Sequence, residues 1–162
     1  MKFSFVIIFF LFFTKIASAI EYNFIKIVSL DKPWGSTFIN DNQILLTEVG
    51  GKIKLVNIIT KNIKNINHNL NFLEYGQGGL LDILYQNKNV WISYTENRGN
   101  WKTSTSIAKG SFNDQKINFT NIFQADPPID SGYHFGSRLA IKDNYLFASA
   151  GERGKGMIAQ DG

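Results

Sequence analysis

The sequence predicts an all-β protein. Three observations carry that prediction. After residue 19 the apolar runs are short and keep no helical period. Clusters of Gly, Asn and Asp separate them. Residues that suit strands are plentiful, with 14 Phe, 6 Tyr and 3 Trp in 162 residues.

The runs place ten candidate strands, at Phe24–Leu30, Gly35–Ile39, Gln43–Glu48, Lys52–Ile58, Leu80–Tyr85, Val90–Thr95, Thr103–Gly110, Ile117–Phe123, Arg138–Ile141 and Tyr145–Ala150. The turns agree with them. Asn40-Asp41-Asn42, Asn87-Lys88-Asn89 and Lys142-Asp143-Asn144 each separate two runs, and Gly50-Gly51 suits a tight hairpin. A weak internal repeat links these hairpins. WGSTFINDNQILLTEVGGKIKLV from Trp34, GGLLDILYQNKNVWISYTENRG from Gly78 and FGSRLAIKDNYLFASAGERG from Phe135 share one plan. Each is an apolar strand, an Asn/Asp turn, a second apolar strand and a polar loop. Equivalent strands start at Ile44, Val90 and Tyr145. That spacing, roughly 40–50 residues or a little more per unit, fits four-stranded propeller blades. A β-sandwich also has short, evenly turned strands, but it has no reason to repeat. The chain therefore holds about three blades, and closed propellers have about 4–8. An open arc leaves unpaired edges. The expectation is an N-terminal portion of a larger propeller, with closure by self-association, a homodimer in the simplest case, as the alternative.

The N-terminus reads as a cleavable signal peptide over residues 1–19. Lys2 supplies the positive region, Phe3–Phe13 the apolar run, and Ala17-Ser18-Ala19 the small residues before the cut. The apolar run is too short for the ~20 residues of a membrane-spanning helix. Residues 20–162 would then be an exported, periplasmic or secreted β-domain. Losing Lys2 and Lys15 lowers the formal net charge of +4 by two. With no basic stripe, nucleic acid is excluded as a partner. With no cysteine, the domain is held by its core and not by disulfides.

Three stretches are too specialised to be ordinary turns. Gly76-Gln77-Gly78-Gly79-Leu80-Leu81-Asp82 sets Gln77 among glycines at the start of an inner strand, where something can approach closely. Asp130-Ser131-Gly132-Tyr133-His134-Phe135-Gly136-Ser137-Arg138 sets His134 in a loop facing a propeller's channel, a fit place for a general base near neutral pH. Gly151-Glu152-Arg153-Gly154 offers Arg153 to an anionic cofactor or a sugar hydroxyl. His68, in Asn67-His68-Asn69, reads as solvated loop.

Together these stretches resemble the PQQ-dependent sugar dehydrogenases, the glucose/sorbosone dehydrogenase family, closest to its aldose sugar dehydrogenase branch. Pro33-Trp34-Gly35, Leu45-Leu46-Thr47-Glu48, Gly51-Lys52-Ile53, Ile92-Ser93-Tyr94 and Ala159-Gln160-Asp161 join the resemblance, which follows the family's N-terminal half across nearly all of residues 24–162. It implies a six-bladed propeller holding PQQ and Ca²⁺, with a sugar substrate and a soluble electron acceptor. It implies that His134 takes the proton of the anomeric hydroxyl. It implies that Gln77 lies against cofactor and substrate, and that Arg153 lines the same pocket. The calcium ligands and most PQQ-holding basic residues are implied for the C-terminal half, so no metal ligand is expected here. Glu152 stands where the family usually has Asp, and Tyr133 where the glucose-type branch has Asp.

Two other functions remain open. One is a sugar- or protein-binding propeller without redox chemistry. The other is a Ca²⁺-dependent propeller lactonase, which needs several converging carboxylate or amide ligands and is poorly served by His, Gln and Arg. If the leader is cleaved after Ala19, intact-mass analysis of the exported protein will give Ile20 as its first residue.

Overall fold

A computed structural model describes residues 21–157. The expected signal peptide and the Ala159-Gln160-Asp161 stretch lie outside the described residues. Ten strands form: β1 (Pro33–Asn40), β2 (Gln43–Glu48), β3 (Lys52–Asn57), β4 (Ile63–His68), β5 (Leu80–Gln86), β6 (Asn89–Asn97), β7 (Thr103–Phe112), β8 (Lys116–Gln124), β9 (Gly136–Lys142) and β10 (Tyr145–Ala150). No helix among the described residues is long and apolar enough to cross a membrane.

The strands build propeller blades. β1 to β4 form one antiparallel meander and β5 to β8 a second. β9 and β10 pair as the first hairpin of a third. The expected three blades are thus two complete ones and the inner half of another among the described residues. β1, β5 and β9 are the inner strands and pack side by side. The outer strands β4 and β8 touch through a short parallel pairing, Asn67 with Lys116 and His68 with Ile117.

Two expectations fail. Phe24–Leu30 forms no strand, and Phe24 and Ile25 stay 95% and 76% exposed, because no strand among the described residues offers them a ladder. β4 was not foreseen, because an outer strand with only Ile66 buried shows no two-residue alternation. His68 also departs from its reading as solvated loop. It ends β4 half-buried, where the Leu70 N–H donates to Nδ1 at 3.3 Å and Nε2 contacts the Gly51 carbonyl at 2.9 Å. These two bonds place the ring proton on Nε2.

The core lies between the first two blades. Leu45, Ile53 and Ile66 of the first meet Ile83, Ile92 and Ile117 of the second. β6 is buried on both faces. Val90, Ile92 and Tyr94 belong to this core, while the alternate Ser93 reaches the inner strand of the third blade.

Each inner strand carries a bulge. Trp34 and Gly35 stand opposite Thr47, and Leu81 and Asp82 opposite Ser93. The hydroxyl facing the bulge satisfies it. The Gly35 N–H donates to Thr47 Oγ1 at 2.9 Å, and Thr47 Oγ1 donates to the Leu81 carbonyl of the next blade at 2.5 Å. The Asp82 N–H donates to Ser93 Oγ at 3.0 Å, and Ser93 Oγ donates to the Ser137 carbonyl of the blade after that at 2.7 Å. Asp82 adds a second tie, accepting the Leu139 N–H at 2.8 Å.

This geometry brings inner strands very close. A Cβ on Gly35 would lie 2.7 Å from the Leu81 carbonyl oxygen and 2.8 Å from the Asp82 Cα. Both are backbone atoms and cannot step aside without moving β5. Gly35→Ala is expected to cost about 1–3 kcal/mol, read as a lowered midpoint in urea unfolding at unchanged slope.

Candidate active site at the axial end of the inner strands

The segments that lead into β5 and β9 converge at one end of the inner strands. Residues 75–79 form a tight turn, with Tyr75 and Gly78 exchanging backbone hydrogen bonds of 3.2 and 2.9 Å. The Gln77 N–H donates to the Gly132 carbonyl at 2.7 Å. Glycine is required where the two segments cross. Gly76 has φ 61°, and a Cβ there would meet the Gly132 carbonyl oxygen at 2.4 Å.

Gln77 and His134, picked out separately in the sequence, are brought together. The His134 N–H donates to Gln77 Oε1 at 3.0 Å, which assigns the amide oxygen to the loop and leaves the NH₂ with no partner among the described residues. His134 has φ 48°, in the left-handed region that non-glycine residues rarely occupy. Its carbonyl is pressed against Gly151, where a Cβ would lie 2.0 Å from that oxygen. A strained histidine backbone, held from both sides, is a common signature of a functional position.

The ring of His134 is half-exposed, and its Nδ1 is hydrogen-bonded to Glu152 Oε1. Glu152 also accepts the Gly154 N–H at 3.2 Å. The bond to His134, followed by backbone hydrogen bonds, holds the Glu152 carboxyl below its usual range. With Nδ1–H given to a carboxylate, the free lone pair of the ring is on Nε2, which has no partner among the described residues.

Arg153 is placed differently from the expectation that it lines the pocket. It is only 6% exposed, and its guanidinium lies 3.7 Å from the centroid of Phe135. Nε donates to the Tyr133 carbonyl at 3.0 Å, Nη1 to the Thr103 carbonyl at 3.2 Å, and Nη2 to Thr103 Oγ1 at 2.6 Å and to the Ser131 carbonyl. Burial pushes its pKa down to about 10, which still leaves it charged at neutral pH. Its donors are shared between the loop that carries His134 and Thr103 of β7, so it ties that loop to the second blade. Ser131 Oγ returns a bond to the Arg153 carbonyl at 2.6 Å.

The other anchors come from β6 and β7. Thr105 Oγ1 donates to the Phe135 carbonyl at 2.9 Å, and Thr95 Oγ1 accepts the Gly79 N–H at 3.0 Å. Sequence reasoning missed these residues. The signal for them was Thr103-Ser104-Thr105-Ser106, a run of hydroxyls that is buried throughout in the middle of the protein. Beside the loops, Trp34, Asp82, Ser137 and Arg138 line an open cleft. Asp82 is buried and pairs with Arg138 at 3.2 Å, while the Arg138 side chain stays 78% exposed with donors to spare. Among the described residues no three or more His, Cys, Asp or Glu side chains gather as metal ligands.

The fold and this loop cluster define a propeller segment with an axial polar site built around a carboxylate-backed histidine. Comparison with known proteins makes that class specific. Residues 30–162 match the family model described as Glucose / Sorbosone dehydrogenase, and the chain belongs to that family. It is 31% identical over 142 residues to aldose sugar dehydrogenase YliI of Escherichia coli K12, covering 82% of this chain and 38% of that protein. The crystal structure of the soluble aldose sugar dehydrogenase of Escherichia coli in its apo form superposes with a TM-score of 0.74 at 33% identity, over 82% of this chain and 41% of that one. The PQQ-bound aldose sugar dehydrogenase of Streptomyces coelicolor shares the fold, with a TM-score of 0.72 at 21% identity, over 82% of this chain and 42% of that one. The chain thus spans about two fifths of the length of these relatives.

Because the folded-state pKa of Glu152 is lowered, its contact with His134 is fully present above the unfolded carboxylate value of about 4.3 and fades as pH falls through the lowered value. Thermal melts should therefore place Glu152→Gln below the wild type at neutral pH, with the gap closing as the solution is acidified.

Proposed function

We propose that this chain supplies the proton-accepting wall of a PQQ-dependent sugar dehydrogenase that oxidises an aldose to its lactone. The single observation that carries the reading is the His134 ring, tied to Glu152 through Nδ1 and open at Nε2. Family membership and the names of the relatives point the same way.

The residues fit the edge of such a cofactor site. PQQ is a flat quinone bearing carboxylates. The free Gln77 amide, the exposed Arg138 guanidinium and the half-exposed Trp34 ring offer a hydrogen-bond donor, a cation and a flat face at this end of the inner strands. When bound, PQQ supplies the hydride acceptor. The chain's own work is then positional and acid–base. Nε2 of His134 accepts the proton of the sugar's anomeric hydroxyl as C1 gives up hydride and becomes the lactone carbonyl. Glu152 fixes the ring's tautomer and stabilises the imidazolium that results. Gln77 orients the histidine's backbone and presents its NH₂ to what binds. The described residues supply no calcium site, and no step here depends on that ion.

A soluble electron acceptor and export to the periplasm or beyond belong to the same proposal. The leader-like residues 1–19 support the latter.

The test uses the protein as its gene encodes it, supplied with PQQ and calcium. His134→Ala should lower sugar-dependent dye reduction by at least about 10²-fold, with PQQ still retained on gel filtration. Undiminished turnover would remove His134 from the chemistry. Sugar binding that is indifferent to PQQ in the wild type would instead make this a binding module.

A further inference from the structure

The β6–β7 loop holds a tryptophan out at the same end of the inner strands as His134. Thr103, which follows the loop, bonds to the Ser131 carbonyl and to Arg153 of the His134 site. Gly99, Asn100 and Trp101 lie in the left-handed region, at φ 79°, 50° and 61°. A residue as bulky as tryptophan rarely stays there. The loop is braced all the same. The Arg98 N–H donates to the Lys102 carbonyl and the Lys102 N–H to the Gly99 carbonyl, each at 2.9 Å, and Asn97 Oδ1 accepts the Gly99 N–H at 3.0 Å. What this displays is the Trp101 ring, 64% exposed, which adds little to the core.

Its neighbours belong to the site. The rings of Trp101 and Tyr75 are 5.8 Å apart between centroids and tilted by 53°. Tyr75 opens the turn that carries Gln77, and its hydroxyl donates to Asp130 Oδ1 at 3.1 Å, in the segment that leads to His134. The bond to Asp130, with a smaller contribution from Tyr133, raises the Tyr75 pKa, so the hydroxyl stays protonated at neutral pH. Asp130 Oδ2 has no partner among the described residues. Tyr133, 60% exposed, adds a third aromatic side chain beside the His134 ring. Trp101 also borders an open hollow with Leu73, Asn97, Gly99 and Asn100.

A pyranose has a face of C–H bonds, which packs on an aromatic ring, and an edge of hydroxyls, which needs carboxylate and amide partners. Trp101 and Tyr75 supply the first, and Asp130 and Asn100 the second. We propose that Trp101 and Tyr75 are a platform for a second sugar ring, and that the substrate is a disaccharide or longer chain whose reducing end is at His134. The proposal rests on the dehydrogenase reading given above. Its direction follows from the chemistry. Oxidation at the anomeric carbon occupies the reducing-end ring, so every further ring lies away from His134, and Tyr75 and Trp101 stand on the adjoining loops. A protein partner would need a much wider face than two rings.

The test uses the protein as its gene encodes it, supplied with PQQ and calcium, with glucose, maltose and cellobiose as probes. Trp101→Ala should raise KM for the preferred disaccharide at least about fivefold with kcat nearly unchanged, and leave glucose within about twofold. Trp101→Phe, which keeps a flat face, should recover most of the loss. Equal effects on glucose and disaccharide, or none on either, overturn the proposal. So does a changed KM for the electron acceptor alone, which assigns the rings to that partner. A second measurement needs no turnover. Disaccharide should shift the Trp101 indole N–H resonance, identified by its loss in Trp101→Phe, at lower concentration than glucose does. No shift, or the same response to glucose, also sinks the platform. A selective shift in a protein that oxidises no sugar keeps the platform and removes the dehydrogenase reading instead.

Discussion

Inner strands that converge on one axis must be both very close and correctly registered, and the bulge with its facing hydroxyl meets both demands. In a regular ladder an inner strand, being an edge, turns alternate carbonyls towards its own blade and the rest away from it. The bulge sets the Leu81 carbonyl of β5 and the Ser137 carbonyl of β9 where the neighbouring blade's Thr47 and Ser93 take them. A hydroxyl suits the position because it accepts from one blade and donates to the other at once. The glycine at Gly35 belongs to the same device, since β5 passes where a Cβ would be.

With inner strands fixed in this way, the segments leading into them are delivered to one place. That is why Gln77 and His134, 57 residues apart in sequence, form a hydrogen bond. Around that bond the chain spends many polar groups. Arg153 braces the His134 loop from below, Glu152 holds its ring, and Thr105 holds the backbone at Phe135. Each bond is modest alone. Together they keep a left-handed histidine in a conformation it would otherwise leave.

Much of the fold was legible because turns and apolar runs are local signals. The hairpin repeat identified blades, and Gln77 and His134 stood out because glycines crowd around them. What was illegible depended on neighbours. Phe24–Leu30 has the composition of a strand but no partner among the described residues. β4 has the pairing but not the alternation, because it lies at an outer edge. Arg153 sits in a motif that reads as a ligand site, and only the packing against Phe135 and Thr103 reveals that its charge points inward. Glu152 was noticed as a departure from the family's usual residue, yet its bond to His134 comes from the return of the chain after β10.

The asymmetry of β6, covered on both faces, has a further consequence. The His134 loop belongs by sequence to the third blade, but its backbone is also tethered by Thr103 and Thr105 of the doubly covered second blade. The histidine is therefore held from two blades at once, its ring by Glu152 after β10 and its backbone by β7. Its position reports how the two blades sit against each other, and a shift of one against the other must break those bonds before it can be absorbed elsewhere.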